Sequence, residues 1–187
     1  MKAIDLTVVE EAKDYAKVTP GGYVCGITAV EDVPYSEELR KGDYLKIEYD
    51  IAEGDLKNYY RDLYKAKAFW GGSFIKSYKE SALPFFKGFM TAVENSNSGY
   101  KWNNDEKTLL RKFVGLVLAE EEYKGADGTV KTRLYVAAVH TADKIRKGEF
   151  EVPAIKRLNG TSNTSAAATG TLPDGFETVL VDGDLPF

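Results

Sequence analysis

Five cations and seven aromatic residues fall within 22 residues of this 187-residue chain, between Lys57 and Tyr78. The cations are Lys57, Arg61, Lys65, Lys67 and Lys76; the rings are Tyr59, Tyr60, Tyr64, Phe69, Trp70, Phe74 and Tyr78. Cationic side chains neutralise phosphates, and flat rings receive unstacked bases, so this mixture suits sequence-tolerant binding of a nucleic-acid single strand. In an extended segment, Phe74, Lys76 and Tyr78 share one face and set a cation between two rings. Lys131, Arg133 and Tyr135 repeat the pattern further on, and Lys46 beside Tyr44 offers a third patch. A small core competes for the same rings. Tyr60, Leu63, Phe86 and Met90 are read as packing residues, whereas Trp70, just before Gly71 and Gly72, is read as presented on a loop. The candidate binding set is therefore Lys46, Lys57, Arg61, Lys65, Lys67, Trp70, Phe74, Lys76, Tyr78, Lys131, Arg133 and Tyr135.

Bond-making chemistry has little to hold. The single cysteine, Cys25, reads as a small core residue, and one histidine, His140, cannot build a Cys/His metal cluster. No phosphate-cradling glycine loop followed by Lys and Ser/Thr is present. A metal-dependent nuclease built from Asp43, Glu48, Asp50 and Glu53 is the weaker reading. The expectation is a non-enzyme with no cofactor and no metal. Charge is unevenly spread: the net −4 lies in residues 158–187, which carry four acids and no base, while residues 57–87 are locally basic. The acidic runs Glu37–Glu38 and Glu120–Glu122 are expected to lie off the binding path.

Alternation of Leu45, Ile47 and Tyr49 against Tyr44, Lys46 and Glu48 predicts a half-buried strand over 44–50. Further strands are predicted over 22–30, 74–78 and 113–122. A turn at Gly125–Gly128 leads to a last strand over 129–139, with Val130, Thr132, Leu134 and Val136 opposite Lys131, Arg133 and Tyr135. Helices are predicted over 56–67 and, capped by Ser81, to about Glu94, with Leu83, Phe86, Met90 and Val93 as its apolar stripe. A small unit follows at 142–148. Five strands with a helix between the third and fourth is the order of an oligonucleotide-binding (OB) barrel. The expected fold is mainly β with helices, an OB-fold-like five-stranded barrel over 1–157 with helical insertions.

From Asn159 the periodic pattern stops, and Ser, Thr, Gly and Ala dominate; residues 158–179 read as a disordered linker. Residues 180–187 read as an acidic and apolar tip in which Asp182 and Asp184 meet a basic rim, Leu185 and Phe187 enter a pocket, and Pro186 restricts the backbone. The Asp184–Leu185–Pro186–Phe187 ending, with Asp182 before it, resembles the C-terminal tip of bacterial and phage single-stranded-DNA-binding proteins, less acidic here because Gly183 interrupts the aspartates. Over residues 18–158, the stretches Lys57–Arg61, Phe69–Gly72, Ser77–Lys87 and Glu120–Gly128 running on to Arg133 resemble phage proteins of replication or recombination modules. The resemblance implies an OB core that coats single-stranded DNA and a tip, Asp182 and Asp184 to Phe187, that recruits replication or recombination proteins. It implies the host cytoplasm as the location. The absence of a long apolar run or a basic-then-apolar leader gives the same cytoplasmic expectation, with no membrane partner. Single OB domains often assemble, so a homo-oligomer is one expected form. The alternatives are an OB-like protein-binding adaptor without nucleic-acid affinity, and an annealing factor.

Overall fold

A computed structural model describes residues 17–38 and 42–158 of the chain. Five strands, β1 (Gly21–Val33), β2 (Tyr44–Ile51), β3 (Ser73–Ser77), β4 (Phe113–Lys124) and β5 (Val130–His140), form one antiparallel sheet in the order β3-β2-β1-β4-β5. Three helices join them: α1 (Tyr59–Lys67) between β2 and β3, α2 (Leu83–Ser96) between β3 and β4, and α3 (Ala142–Arg146) after β5.

The expected closed barrel is not formed. β3 and β5 are the two edges of an open sheet, with no ladder between them. The helix α2 packs against β3, β4 and β5. It fills with Phe89, Met90 and Val93 the space across which the edges would have to meet. Five strands and a helix in the expected order are present, but the helix lies over one face as a lid on a sheet instead of plugging a barrel.

The pleat divides the sheet into two unlike faces. One carries Cys25, Ile27, Leu45, Ile47, Tyr49, Ile51, Val114, Leu116 and Leu118 into the main core under α1 and α2. The other carries Val24 and Val117, which meet Ala142 and Ile145 of α3 in a smaller cluster flanked by Phe150. The alternation in β2 is as expected: Leu45, Ile47 and Tyr49 are buried, and Tyr44, Lys46 and Glu48 are half-buried. Gly115 lies beneath α3; a Cβ there would lie 2.5 Å from Ile145 Cγ1 and 2.7 Å from Thr141 O, so only glycine lets α3 settle on β4. Register shifts occur in β1 between Ile27 and Ala29 and in the β4–β5 ladder between Val117 and Leu118. At the first, Ile27 turns its backbone to the segment before β4, donating to Lys112 O and accepting from Arg111 N.

Ser81 does not cap α2. A 3₁₀ turn over Glu80–Ala82 precedes the helix, and the residue at the cap, Ala82, offers no side-chain acceptor; Pro84 sits in the first turn, where its missing N–H costs nothing. The buried stripe includes Phe89 and Ala92, and Leu83 is exposed. At the other end the Asn97 amide donates to Val93 O and Phe113 O and accepts from Phe113 N, which ties the helix to the start of β4. Tyr100 and Trp102, after the helix, fold back onto the core.

Lys76 is 4% exposed on the core face of β3, its Nζ 5.7 Å from the Phe74 ring centre and 5.8 Å from that of Phe89. Burial lowers its pKa to about 8. The unfolded chain therefore holds this proton up to about pH 10.4 while the fold releases it from about 8, so the contribution of Lys76 to stability rises with pH across that interval. Burial acts the other way on the Cys25 thiol, which it pushes up, and on the phenols of Tyr60, raised to about 12, and Tyr49, so these groups lower stability from about pH 8.5 and about pH 10 upward. In urea unfolding the stability of the native protein relative to Lys76→Met should therefore rise by about 1–3 kcal/mol between about pH 7.5 and about pH 9.5, the Cys25 and tyrosine contributions being common to both. A difference that stays constant with pH would mean that Lys76 keeps its ordinary proton affinity in the fold.

Candidate nucleic-acid interface

The α1 segment is set on the sheet by one carboxylate. Asp50, buried at the end of β2, accepts from the backbone N–H of Ile51 (2.8 Å) and Tyr60 (2.9 Å) through Oδ1 and from that of Arg61 (3.2 Å) through Oδ2. Asn58, at the helix start, makes no side-chain cap, so Asp50 satisfies orphan N–H groups of the first turn from another element. Tyr60 then drops into the core, edge-on to Tyr49 at 5.5 Å. The helix ends in Lys65 and Lys67, which favour its negative end, and in Ala68 at φ 52°. An alanine in this left-handed conformation is strained, and glycine is the residue the position favours. Ala68→Gly should raise the urea midpoint, by about 0.5–1 kcal/mol of stability; a lower midpoint would contradict this backbone.

Beyond the helix the chain turns through Phe69 and Trp70 into β3. Gly72 is buried against β2 so closely that a Cβ would fall onto Tyr49 O and the Tyr60 ring. Its carbonyl accepts from Tyr49 N (2.8 Å) and from the Trp70 indole N–H (3.1 Å). Trp70 is half-buried, tilted 40° to Tyr60 and edge-on to Tyr64, with both ring centres at 6.3 Å. Tyr64 is 53% exposed and Phe69 49%. Around them stand Arg61, Lys65 and Lys67, all exposed. One carboxylate, Asp62, serves two of these cations, Arg61 at 3.9 Å and Lys65 at 3.5 Å, so the patch keeps a positive balance. Lys57 is exposed in the loop before the helix.

The other expected residues are placed elsewhere. Phe74, Lys76 and Tyr78 do share a face, but it is the core face: Phe74 packs on Tyr49 and Phe89, and Tyr78 packs on Phe86. Lys131, Arg133 and Tyr135 also share a face, and it is the opposite one, beside Glu121 and Tyr123 of β4. There the Arg133 guanidinium meets the buried Glu121 carboxylate at 2.7 Å and lies over Tyr123, while Lys131 pairs with Asp127 at 3.1 Å. Of the acidic run 120–122, Glu121 thus lies within this patch rather than off the path, while Glu120 and Glu122 stand on the other face opposite Leu134 and Thr132, and Glu122 pairs with Arg157. Lys46 stands between Glu31 (3.6 Å) and Glu48 (3.4 Å). The twelve residues do not open onto one groove. What comes together is Arg61, Lys65, Lys67 and Trp70, joined by Tyr64 and Phe69. Those two rings were visible in the aromatic run, but no local signal separated them from the core rings. Tyr64 follows Tyr60 by one helical turn, yet Tyr60 is buried and Tyr64 is exposed.

Among the described residues no group of three or more Cys, His, Asp or Glu is disposed to hold a metal ion, and no helix is long and apolar enough to cross a membrane. Burial, with a smaller contribution from Asp50, pushes the Cys25 thiol up. The linker from Asn159 onward and the tip residues Asp182, Asp184, Leu185, Pro186 and Phe187 lie outside the described residues. No family model matches the chain, and no curated protein matches it.

Proposed function

We propose that this protein binds single-stranded DNA without catalysis and with little regard to sequence, through the outer surface of α1 and the turn that follows it. The observation that carries the reading is the pairing of two half-exposed rings, Tyr64 and Phe69, with three exposed cations, Arg61, Lys65 and Lys67, around a Trp70 held in place by its indole N–H. Bases stack on any flat ring, and the cations follow the phosphates between them. Lys46, Lys131 and Arg133, each matched to a carboxylate on the far face, have no part in it. The resemblance to phage replication and recombination proteins supports the same reading, with residues 180–187 as the segment that recruits their partner enzymes.

A polarisation titration with a labelled oligothymidine tests it. Affinity should fall between about 50 and about 300 mM salt with a log–log slope of about −2 to −3, as three or four phosphate contacts imply for a single strand. Removing residues 180–187 should preserve or raise that affinity and abolish partner capture. No binding at the lowest salt would refute the reading and favour a protein-binding adaptor.

A further inference from the structure

At the opposite end of β3 from α1, a cleft of about 300 Å³ opens beside α2 and the turn that follows it. Its walls are Tyr78, Phe86 and Trp102, with Asp32, Asn104 and Glu106 at the rim and the buried Leu45 as floor. Tyr78 and Phe86 stand 5.6 Å apart with their planes inclined by 58°, so they form a corner, and Trp102 adds a third ring. The Tyr78 hydroxyl donates to Asp32 Oδ1 at 2.8 Å, which anchors that wall beside a carboxylate. Burial raises the Tyr78 phenol above its ordinary range, and Asp32, Glu106 and Asp43 raise it further, so three carboxylates act on one point. Among the described residues no Lys or Arg lines the cleft.

Aromatic rings carry negative faces, and three of them line this cleft beside carboxylates. That combination attracts a positive charge carried on an apolar head and repels phosphate. We propose that this cleft binds a compact organic cation, an alkylammonium or guanidinium head, caged by Tyr78, Phe86 and Trp102 and neutralised by Asp32 and Glu106. The site is separate from the α1 surface and does not depend on DNA binding there. The same head group reaches a protein either free or on a lysine or arginine side chain; the shared chemistry is what the cleft selects.

The test is a ¹H–¹⁵N NMR titration of the full chain with choline, methylguanidinium, an acetyl-Gly-Arg-Gly-amide peptide and 3,3-dimethylbutan-1-ol, the neutral isostere of choline. The Trp102 indole and the Asn104 and Glu106 amides should shift and saturate with the cations. The neutral isostere should bind at least about tenfold more weakly. The double variant Asp32→Asn, Glu106→Gln, which keeps an acceptor for Tyr78, should weaken cation binding about fivefold or more and leave oligothymidine affinity unchanged. A peptide that binds several-fold more tightly than methylguanidinium would place the cation on a protein partner; equal affinities would indicate a free small cation. Shifts absent from the cleft, equal binding of the neutral alcohol, or unchanged binding in the double variant would each overturn the proposal.

Discussion

Replacing Tyr64 and Phe69 together by alanine is expected to weaken oligothymidine binding by about 30-fold or more while leaving the fold intact. Each base stacked on an aromatic ring contributes about 1–3 kcal/mol, so losing two platforms removes at least about 2 kcal/mol. Both rings are half exposed, and Tyr64 touches the body through the edge of Trp70, so the stability change should stay within about 1 kcal/mol. A companion variant, Arg61→Gln with Lys67→Gln, should reduce the salt slope by about 1.4 without touching a ring. Arg133→Gln is the control. It leaves Glu121 buried without its cation and should lower stability by about 2–3 kcal/mol, with DNA affinity unchanged. Unaltered affinity in the double ring variant would remove the physical basis of the proposed interface.

The largest effect on stability near the site is expected from Asp50→Ala, a loss of about 2–4 kcal/mol. Three backbone N–H groups converge on this one buried carboxylate, two of them at the start of α1. Hydrogen bonds to a charged acceptor contribute about 1.5–3 kcal/mol, and the orphaned N–H groups of the helix start gain no substitute from Asn58. Asp50→Asn keeps one acceptor oxygen and should lose about half as much. The readouts are the urea midpoint and hydrogen exchange at the Tyr60 and Arg61 amides, whose protection should fall before that of β1 and β4. Because α1 carries the proposed interface, DNA affinity should decline in parallel with Tyr60 protection. Unchanged protection at Tyr60 would show that α1 is held by other means.

Asp50 also shows how a sequence reading mistakes a role. Its place on a strand beside Glu48 invited a metal-ligand interpretation, yet its lone pairs are taken by backbone N–H groups ten and eleven residues further on. Arg133 is a second case: its type and strand position suit phosphate binding, and only the ladder that sets Glu121 opposite reveals its partner.

Much of the architecture was legible in the chain itself. The two-residue period of β2 and β5, the Gly125–Gly128 turn, the break at Gly71–Gly72 and the helical spacing before β4 follow from local sterics and from which residues avoid water, so they can be read residue by residue. That Phe74, Lys76 and Tyr78 would share a face, and that Lys131, Arg133 and Tyr135 would, was correct for the same reason. Only the tertiary structure decided that these two faces are opposite sides of one open sheet, that α2 covers the first, and that the edges never close. Periodicity states which side chains point together; what lies above them depends on where the intervening helix comes to rest, and that is set by contacts between residues far apart in the chain.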